Sequence, residues 1–280
     1  MGTKRKSLVK KEKKKEKSKN PFKAINKTNC NFITVQIPMS NFNHFKQIRM
    51  SNKDEIGGTI KLKCIFKQCG IKKSLIIPGK NKSIDSDLIP NCEIQYHTHP
   101  SYPQPKNGEN LLDFVYNDYK SNKESNKDAI KQTFLIDSLV QTVSDADLKT
   151  FSESILGNKS KVMLVFAPEG IYTLNEDKKY LPMLKLIPQE SREEILKSKS
   201  KHYIKLRNEL IYKKLDELIV GMDGESEKDC KDCLNKFQRD IGKKFATLMN
   251  DEFNMLDCSF SPWNSRNINF KVYASPKGGE

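Results

Sequence analysis

The sequence of 280 residues lacks any long hydrophobic run. No stretch approaches the roughly 18 consecutive apolar residues that a membrane-spanning helix requires, and the N-terminus has no apolar segment typical of a secretory signal. The seven cysteines are odd in number and lack the spacing of a disulfide scaffold, in a chain long enough to build a core without crosslinks. We therefore expect an intracellular protein, cytoplasmic or nuclear, that makes no membrane contact.

Acidic residues are scarce at the N-terminus. Residues 1–28 contain twelve Lys or Arg and only two glutamates, so ten of the fifteen net positive charges of the chain lie there. This charge density leaves almost nothing to bury and predicts a disordered Lys-rich arm over 1–28. Clustered cations of this kind bind polyanions such as nucleic acids or serve nuclear import; the alternative is a solvated tail that aids solubility.

Histidine is also scarce, and two of the four histidines are His97 and His99, in a strand-like run that ends at Pro100. On a strand, residues i and i+2 point to the same face, so the two imidazoles would converge on one point. Pro100 has no N–H to donate to a sheet and is expected to end the strand. The pair predicts two metal ligands at an edge or mouth of a sheet; the alternative is two ordinary surface histidines.

Strands and helices alternate after the arm. Gly57 and Gly58 lie in a predicted strand and permit close backbone approach. Ser144 is a natural helix N-cap, and Gly157 ends the helix that follows it. Runs of β-branched or alternating apolar residues predict strands at 32–37, 54–62, 62–67, 74–77, 93–99, 161–167, 170–174 and 267–273, and a helix is predicted at 41–50.

These elements predict a mixed α/β fold in which a curved mixed β-sheet is flanked by helices. The two apolar stripes after residue 189 predict an antiparallel helical hairpin. The predicted organisation is a core over 29–188 with an insertion at 101–143, the helical hairpin over 189–257, and a final strand and tail over 258–280.

Three chemical motifs lie on separate predicted elements. Glu55 opens the Gly-Gly strand, His97 and His99 form a His-x-His-Pro motif, and Ser144 and Asp147 form a Ser-x-x-Asp motif that opens a helix. In this order the motifs resemble those of the JAMM or MPN-plus (JAB-domain) zinc metalloisopeptidases. The resemblance covers the chain from about the first predicted strand to the strand pair that follows the helix.

The resemblance implies an MPN-type sheet and a role for each motif residue. His97, His99 and Asp147 would bind Zn²⁺ and leave the fourth position for water, as catalytic zinc sites do. Glu55 would be the general base and Ser144 would stabilise the oxyanion intermediate. The implied activity is that of a deubiquitinase-like hydrolase, which removes ubiquitin or a ubiquitin-like modifier by cleaving an isopeptide bond.

One departure from the family concerns the third ligand. Members usually place the Ser a few residues after the Pro, whereas 43 residues separate Pro100 from Ser144 here. The rival is Asp113, in Asn110-Leu-Leu-Asp113, at a more usual distance. We favour Asp147 because its Ser-x-x-Asp motif is intact and the expected helix and strand follow it.

Two other readings of the function remain open. The chain could be a catalytically silent scaffold or binding module of the same fold, as some relatives are. It could instead be associated with nucleic acid, because the basic arm and the His-Thr-His-Pro-Ser sequence also resemble the bacterial RadC-type relatives. The abundance of lysine, asparagine and isoleucine is typical of an AT-rich genome, such as that of a parasite or a large virus.

The cysteines offer a weaker metal-binding pattern. Cys230 and Cys233 have the C-x-x-C spacing of zinc knuckles and redox pairs, but inside a predicted helix. They would form a four-thiolate site only if the fold brought Cys64 and Cys69 beside them. The alternative is that these cysteines simply pack or lie at the surface.

Overall fold

The fold is that of a mixed α/β protein with one large sheet flanked by helices, as predicted. The predicted arm over 1–28 and parts of the predicted insertion lie outside the residues that the structure describes. A computed structural model of the protein describes residues 31–65, 68–79, 94–101, 109–122, 139–157, 162–176, 181–253 and 255–274.

Eight strands make up the sheet in the described ranges of the chain. In chain order they are β1 (Asn31–Pro38), β2 (Ile56–Ile65), β3 (Gln68–Pro78), β4 (Ile94–Thr98), β5 (Val162–Phe166), β6 (Gly170–Glu176), β7 (Leu256–Pro262) and β8 (Asn267–Ala274). Their order across the sheet is β7-β6-β5-β4-β2-β3-β1-β8. The pairs β4–β5 and β1–β3 are parallel and the others are antiparallel, so the sheet is mixed, as expected.

Six helices accompany these strands in the described part of the chain. They are α1 (Asn43–Ser51), α2 (Leu111–Asn122), α3 (Asp145–Leu156), the short α4 (Leu181–Leu184), α5 (Gln189–Met222) and α6 (Glu227–Leu248). The helices α5 and α6 form the predicted hairpin, whose turn contains Gly224 in a left-handed conformation with φ of 80°. None of the described helices combines the length and apolar composition needed to cross a lipid bilayer.

The central strand β5 is apolar because both faces of the sheet are covered. Met163 and Val165 belong to the hydrophobic cluster formed with α3, α5 and α6. Val162, Leu164 and Phe166 belong to the cluster on the other side, which includes Phe45 of α1. Burying such side chains contributes about 1.5–3 kcal/mol each. The nearly continuous apolar run therefore specifies a strand in the middle of the sheet, as predicted.

Three elements differ from the sequence predictions. The predicted pieces at 62–67 and 74–77 belong to two longer strands, because β2 continues to Ile65 and β3 runs from Gln68 to Pro78 beside it. The insertion contains the unpredicted helix α2, which packs its apolar side against α6. The helical segment ends at Phe253, not at 257, because the unpredicted strand β7 then pairs with β6.

Gly58 makes the close backbone approach that the Gly-Gly sequence predicts. It lies in β2 opposite Tyr96 of β4, with φ of 153°. A Cβ atom at this position would lie 1.9 Å from the carbonyl oxygen of Leu75. That same oxygen accepts a 3.0 Å hydrogen bond from the Tyr96 hydroxyl. Only glycine fits at this position of β2, between β3 and the histidine strand β4.

We expect Gly58→Ala to lower the free energy of unfolding by about 2 kcal/mol or more, because the variant combines backbone strain with a steric clash. The matched control is Gly221→Ala in α5, where an added Cβ meets no atom within 4 Å. In that helix alanine should raise stability by up to about 1 kcal/mol. Urea denaturation of both variants checks the prediction, and equal effects would contradict it.

Candidate metal centre

The end of β4 carries the two histidines on the face of the sheet that packs against α3, α5 and α6. In the sheet register His97 lies opposite Val165 of β5 and Gly57 of β2. The chain keeps its extended course past the strand end, because the His99 N–H donates a 2.8 Å hydrogen bond to the Phe166 carbonyl. The Nε2 atoms of His97 and His99 are 3.0 Å apart. The predicted convergence of the two imidazoles is therefore confirmed.

The first turn of α3 supplies the carboxylate. Ser144 caps the helix by accepting a 3.1 Å hydrogen bond from the Asp147 N–H, and its own N–H donates to Asp147 Oδ2 at 2.7 Å. This reciprocal capping box fixes the carboxylate in the first turn. Asp147 Oδ1 lies 2.9 Å from His97 Nε2, and Oδ2 lies 3.3 Å from His99 Nε2.

The three side chains form a cluster that can hold a metal ion. Their ligand atoms all lie within 4.8 Å of one another, and His97 and His99 are only 4% and 6% exposed. Donor atoms around a tetrahedral zinc ion are separated by about 3.3 Å, close to the distances found here. Two imidazole nitrogens and a carboxylate oxygen also match the donor types that zinc takes in proteins. The residues thus fit a zinc ion.

The tautomer of His99 is fixed by its neighbours. Its Nδ1 lies 2.7 Å from the Gln141 carbonyl oxygen, which can only accept a hydrogen bond, so Nδ1 carries the hydrogen. In the neutral ring, Nε2 then keeps the lone pair that a metal needs. Gln141 is held in turn, because its N–H donates a 3.1 Å hydrogen bond to Glu169, which also accepts 2.7 Å from the Tyr172 hydroxyl.

The supporting residues Gln141 and Glu169 were missed by sequence reasoning. Glu169 follows Pro168 and precedes Gly170 in a hairpin connection, where a glutamate is expected to face solvent. Instead it is only 2% exposed, and burial raises the pKa of its carboxyl group. No local pattern in the sequence distinguishes it from a surface glutamate.

The surroundings of the cluster favour the protonated, positively charged form of His99. Burial alone would lower the pKa of His99, but the carboxylates of Asp147 and Glu55 outweigh burial and raise this pKa to about 9. Burial would raise the pKa of Asp147, yet the two imidazoles hold it well below its usual range. A metal ion must therefore displace a proton from His99, so metal affinity should rise as the pH increases toward 9.

Glu55 lies beside the cluster but outside it. Its Oε1 is 3.7 Å from His99 Nε2, and its side chain is 23% exposed, more than those of the three clustered residues. The neighbouring Ile56 N–H donates a 2.9 Å hydrogen bond to Thr98 Oγ1, which ties the start of β2 to the histidine strand. The structure thus brings together Glu55, His97, His99, Ser144 and Asp147.

The rival ligands lie elsewhere. Asp113 is on α2, where its carboxylate forms a 2.6 Å ion pair with Lys231 of α6. Cys230 is buried at the α5–α6 turn, and Cys233 lies 3.8 Å from the Gly221 carbonyl oxygen. Within the described residues, the only cluster of His, Cys, Asp or Glu suited to a metal is that of His97, His99 and Asp147.

Comparison with known proteins returns no relative: neither a protein-family model, nor a curated protein, nor a solved structure matches this chain. The function must therefore be argued from the residues of the site and from their geometry.

We expect the purified protein to bind about one zinc ion per chain, since the cluster supplies three protein ligands. His97→Ala and Asp147→Asn should each abolish this binding, whereas Asp113→Asn, which removes a carboxylate of the same type, should retain it. Metal content measured by mass spectrometry after zinc loading and desalting checks the prediction. Retention of zinc by Asp147→Asn, or its loss from Asp113→Asn, would show that the third ligand is wrong.

We expect Ser144→Ala to weaken zinc binding about tenfold, because the helix cap positions Asp147. Ser226→Ala is the matched control, since Ser226 caps α6 through the Asp229 N–H, in a Ser-x-x-Asp sequence that is not part of the cluster. Both variants should lose about 1 kcal/mol of unfolding free energy. A competition titration with a zinc chelator checks this, and equal zinc affinities in the two variants would contradict it.

Proposed function

We propose that this protein is a zinc-dependent hydrolase of amide or isopeptide bonds, of the JAMM type. The observation that carries the proposal is the convergence of His97, His99 and Asp147 next to Glu55. These four residues come from three separate segments of the chain. Their arrangement supplies both a metal site and an adjacent carboxylate, the two parts that metal-assisted hydrolysis requires.

The metal would be held by the two Nε2 atoms and the Asp147 carboxylate. When bound, zinc supplies Lewis-acid chemistry and lowers the pKa of a water molecule toward 7. The hydrogen bond from His99 to Gln141 keeps the ring in the ligating tautomer. Burial of both histidines restricts the approach of bulk solvent to the ring nitrogens, which strengthens the electrostatic interactions at the site.

The proposed role of Glu55 is to move protons. Its carboxylate is close to the cluster but is not one of the three ligands, so it keeps its acceptor oxygens for a reacting group. In this role it would take a proton from the attacking water and deliver it to the leaving amine. The hydrogen bond between Ile56 and Thr98 holds the backbone next to Glu55, and so limits its displacement from the histidines.

The proposed role of Ser144 is to stabilise developing negative charge. Its Oγ accepts the Asp147 N–H, which leaves the hydroxyl hydrogen available for donation to an oxyanion. The N-terminus of α3, which Ser144 caps, adds a partial positive charge at the same end of the helix. Ubiquitin or a ubiquitin-like conjugate is the proposed substrate, and this part of the proposal rests on the resemblance of the motifs to the metalloisopeptidases.

The test uses the zinc-loaded full chain with a panel of ubiquitin-type conjugates, including linked dimers and C-terminal amides. We expect cleavage by the wild-type protein and a decrease in kcat of about 100-fold or more in Glu55→Gln, with unchanged zinc content. Glu153→Gln is the matched control, because it removes an exposed carboxylate from the outer side of α3.

Each outcome separates the proposal from its rivals. Cleavage that depends on Glu55 and on zinc supports the proposed hydrolase activity. A zinc-bound protein that cleaves none of these conjugates would favour the silent binding module and contradict the proposed activity. Equal activity of Glu55→Gln and Glu153→Gln would show that Glu55 is not the general base.

A further inference from the structure

The segment that leads from the insertion to helix α3 is buried but irregular. It comprises residues 139–143, and residues 140–144 belong to no helix or strand. Leu139 and Val143 are fully buried in the hydrophobic cluster formed with α3, α5 and α6. Backbone N–H and C=O groups in such a place need hydrogen-bond partners, which neither a helix nor a strand provides here. Side chains from other elements must therefore hold this segment.

This segment adjoins two of the metal ligands. Its Gln141 carbonyl accepts the 2.7 Å hydrogen bond from His99 Nδ1, and its last residue directly precedes Ser144, the cap that fixes Asp147. A displacement of the segment would therefore move the partner of one ligand and the helix start that carries another. Metal sites are sensitive to such outer contacts, because these contacts orient the ligands.

Helix α6 holds the start of the segment. Gln238 donates a 3.0 Å hydrogen bond from Nε2 to the Leu139 carbonyl, which lies 99 residues earlier in the chain. Gln238 is only 9% exposed, so this hydrogen bond is shielded from water. Removal of the donor would leave a buried carbonyl without its partner, which carries the full desolvation cost of that group. This glutamine therefore fixes the point at which the insertion returns to the core.

Helix α5 holds the end of the segment. The hydroxyl of Tyr203, whose side chain is fully buried, lies 3.3 Å from Thr142 Oγ1. Arg207 lies one helical turn further along α5 and donates from Nη1 to the Val143 carbonyl at 3.4 Å. The two helices of the hairpin thus contact this segment at both of its ends.

We propose that Gln238 and Tyr203 are positioning residues of the metal centre, which act on His99 through the segment 139–143. The inference deepens the proposed function and rests on it, since it concerns the ligands of the proposed zinc ion. Without these two side chains the Gln141 carbonyl would no longer be held against His99 Nδ1, and the ring would lose the contact that fixes its ligating tautomer. The α5–α6 hairpin, which carries none of the motif residues, is then part of the metal centre.

The first part of the test follows the His99 ring N–H by NMR in the metal-free full chain. We expect an Nδ1–H signal that is protected from exchange with solvent, because the Gln141 carbonyl accepts this hydrogen, and His99→Gln identifies the signal by its loss. Gln238→Met keeps the length of the side chain but removes the donor, so it should shift the signal and speed its exchange about tenfold or more. Tyr203→Phe, which removes only a hydroxyl, should act in the same direction.

The second part titrates the same variants with zinc against a chelator. Gln238→Met should bind zinc about tenfold more weakly than the wild type, and Tyr203→Phe should also bind it more weakly. A purely structural role would lower the unfolding midpoint but would leave both the ring signal and the zinc affinity of the folded chain unchanged.

Asn250→Ala is the matched control, because Asn250 follows α6 and also holds backbone outside the hairpin. It donates a 2.9 Å hydrogen bond to the Cys258 carbonyl and accepts a 2.7 Å hydrogen bond from the Cys258 N–H, in β7. Its loss should lower the unfolding midpoint, as Gln238→Met does. The His99 signal and the zinc affinity of this variant should equal those of the wild type.

Unchanged His99 signals and zinc affinities in both Gln238→Met and Tyr203→Phe would overturn the inference, and so would equal changes in Asn250→Ala. Failure of the proposed function gives a different result. A wild-type chain that binds no zinc, or that binds zinc and cleaves no conjugate, would contradict the hydrolase. The ring signal of the metal-free chain would still decide the roles of Gln238 and Tyr203.

Discussion

The proposed function of this protein depends on one structural constraint, the contact of Asp147 with His97 and His99. It joins a helix cap to the end of a central strand that lies about 50 residues earlier in the chain. A carboxylate and two imidazoles with so little exposure are stable only when they contact one another or bind a metal ion, because an isolated buried charge costs several kcal/mol. The register of β4, the cap of α3 and the path of the intervening chain must therefore together bring these three side chains into contact.

The insertion is compatible with this constraint because both of its ends lie at the site. Ser101 follows the histidine motif directly, and Gln141 returns to accept the hydrogen bond from His99. The cost of closing a longer loop grows only logarithmically with its length, so many added residues disturb the geometry little. The helix α2 within the insertion packs on α6, which provides this part of the chain with a hydrophobic contact of its own.

The sequence was most informative where local geometry decides the outcome. The two-residue period of a strand was enough to predict that His97 and His99 converge, and the N-cap preference of serine was enough to predict the start of α3. The sequence favoured Asp147 over Asp113 because the Ser-x-x-Asp motif is intact there, although both aspartates lie in the first turn of a helix. Asn110 caps α2 and Asp113 follows three residues later, just as Ser144 and Asp147 do in α3. Only the pairing of β4 with β5 brings one of these helix starts to the histidines.

The residues that were missed are those whose role comes from tertiary burial. Glu169 is charged, and most such side chains face solvent, so its sequence context predicts a surface position. Strand β7 was missed because the helical pattern before it is strong and the strand lies at one end of the described sheet, next to β6. The clash that selects Gly58 likewise involves Leu75, which lies 17 residues away in β3.

The proposed hydrolase requires a zinc ion held by His97, His99 and Asp147. X-ray absorption at the zinc edge of the loaded protein tests it most directly, because zinc–nitrogen and zinc–oxygen distances are about 2.0–2.2 Å and zinc–sulfur distances about 2.3 Å. We predict a shell of nitrogen and oxygen only, with the multiple-scattering signature of two imidazoles. A sulfur shell, or a spectrum without imidazole scattering, would contradict the account.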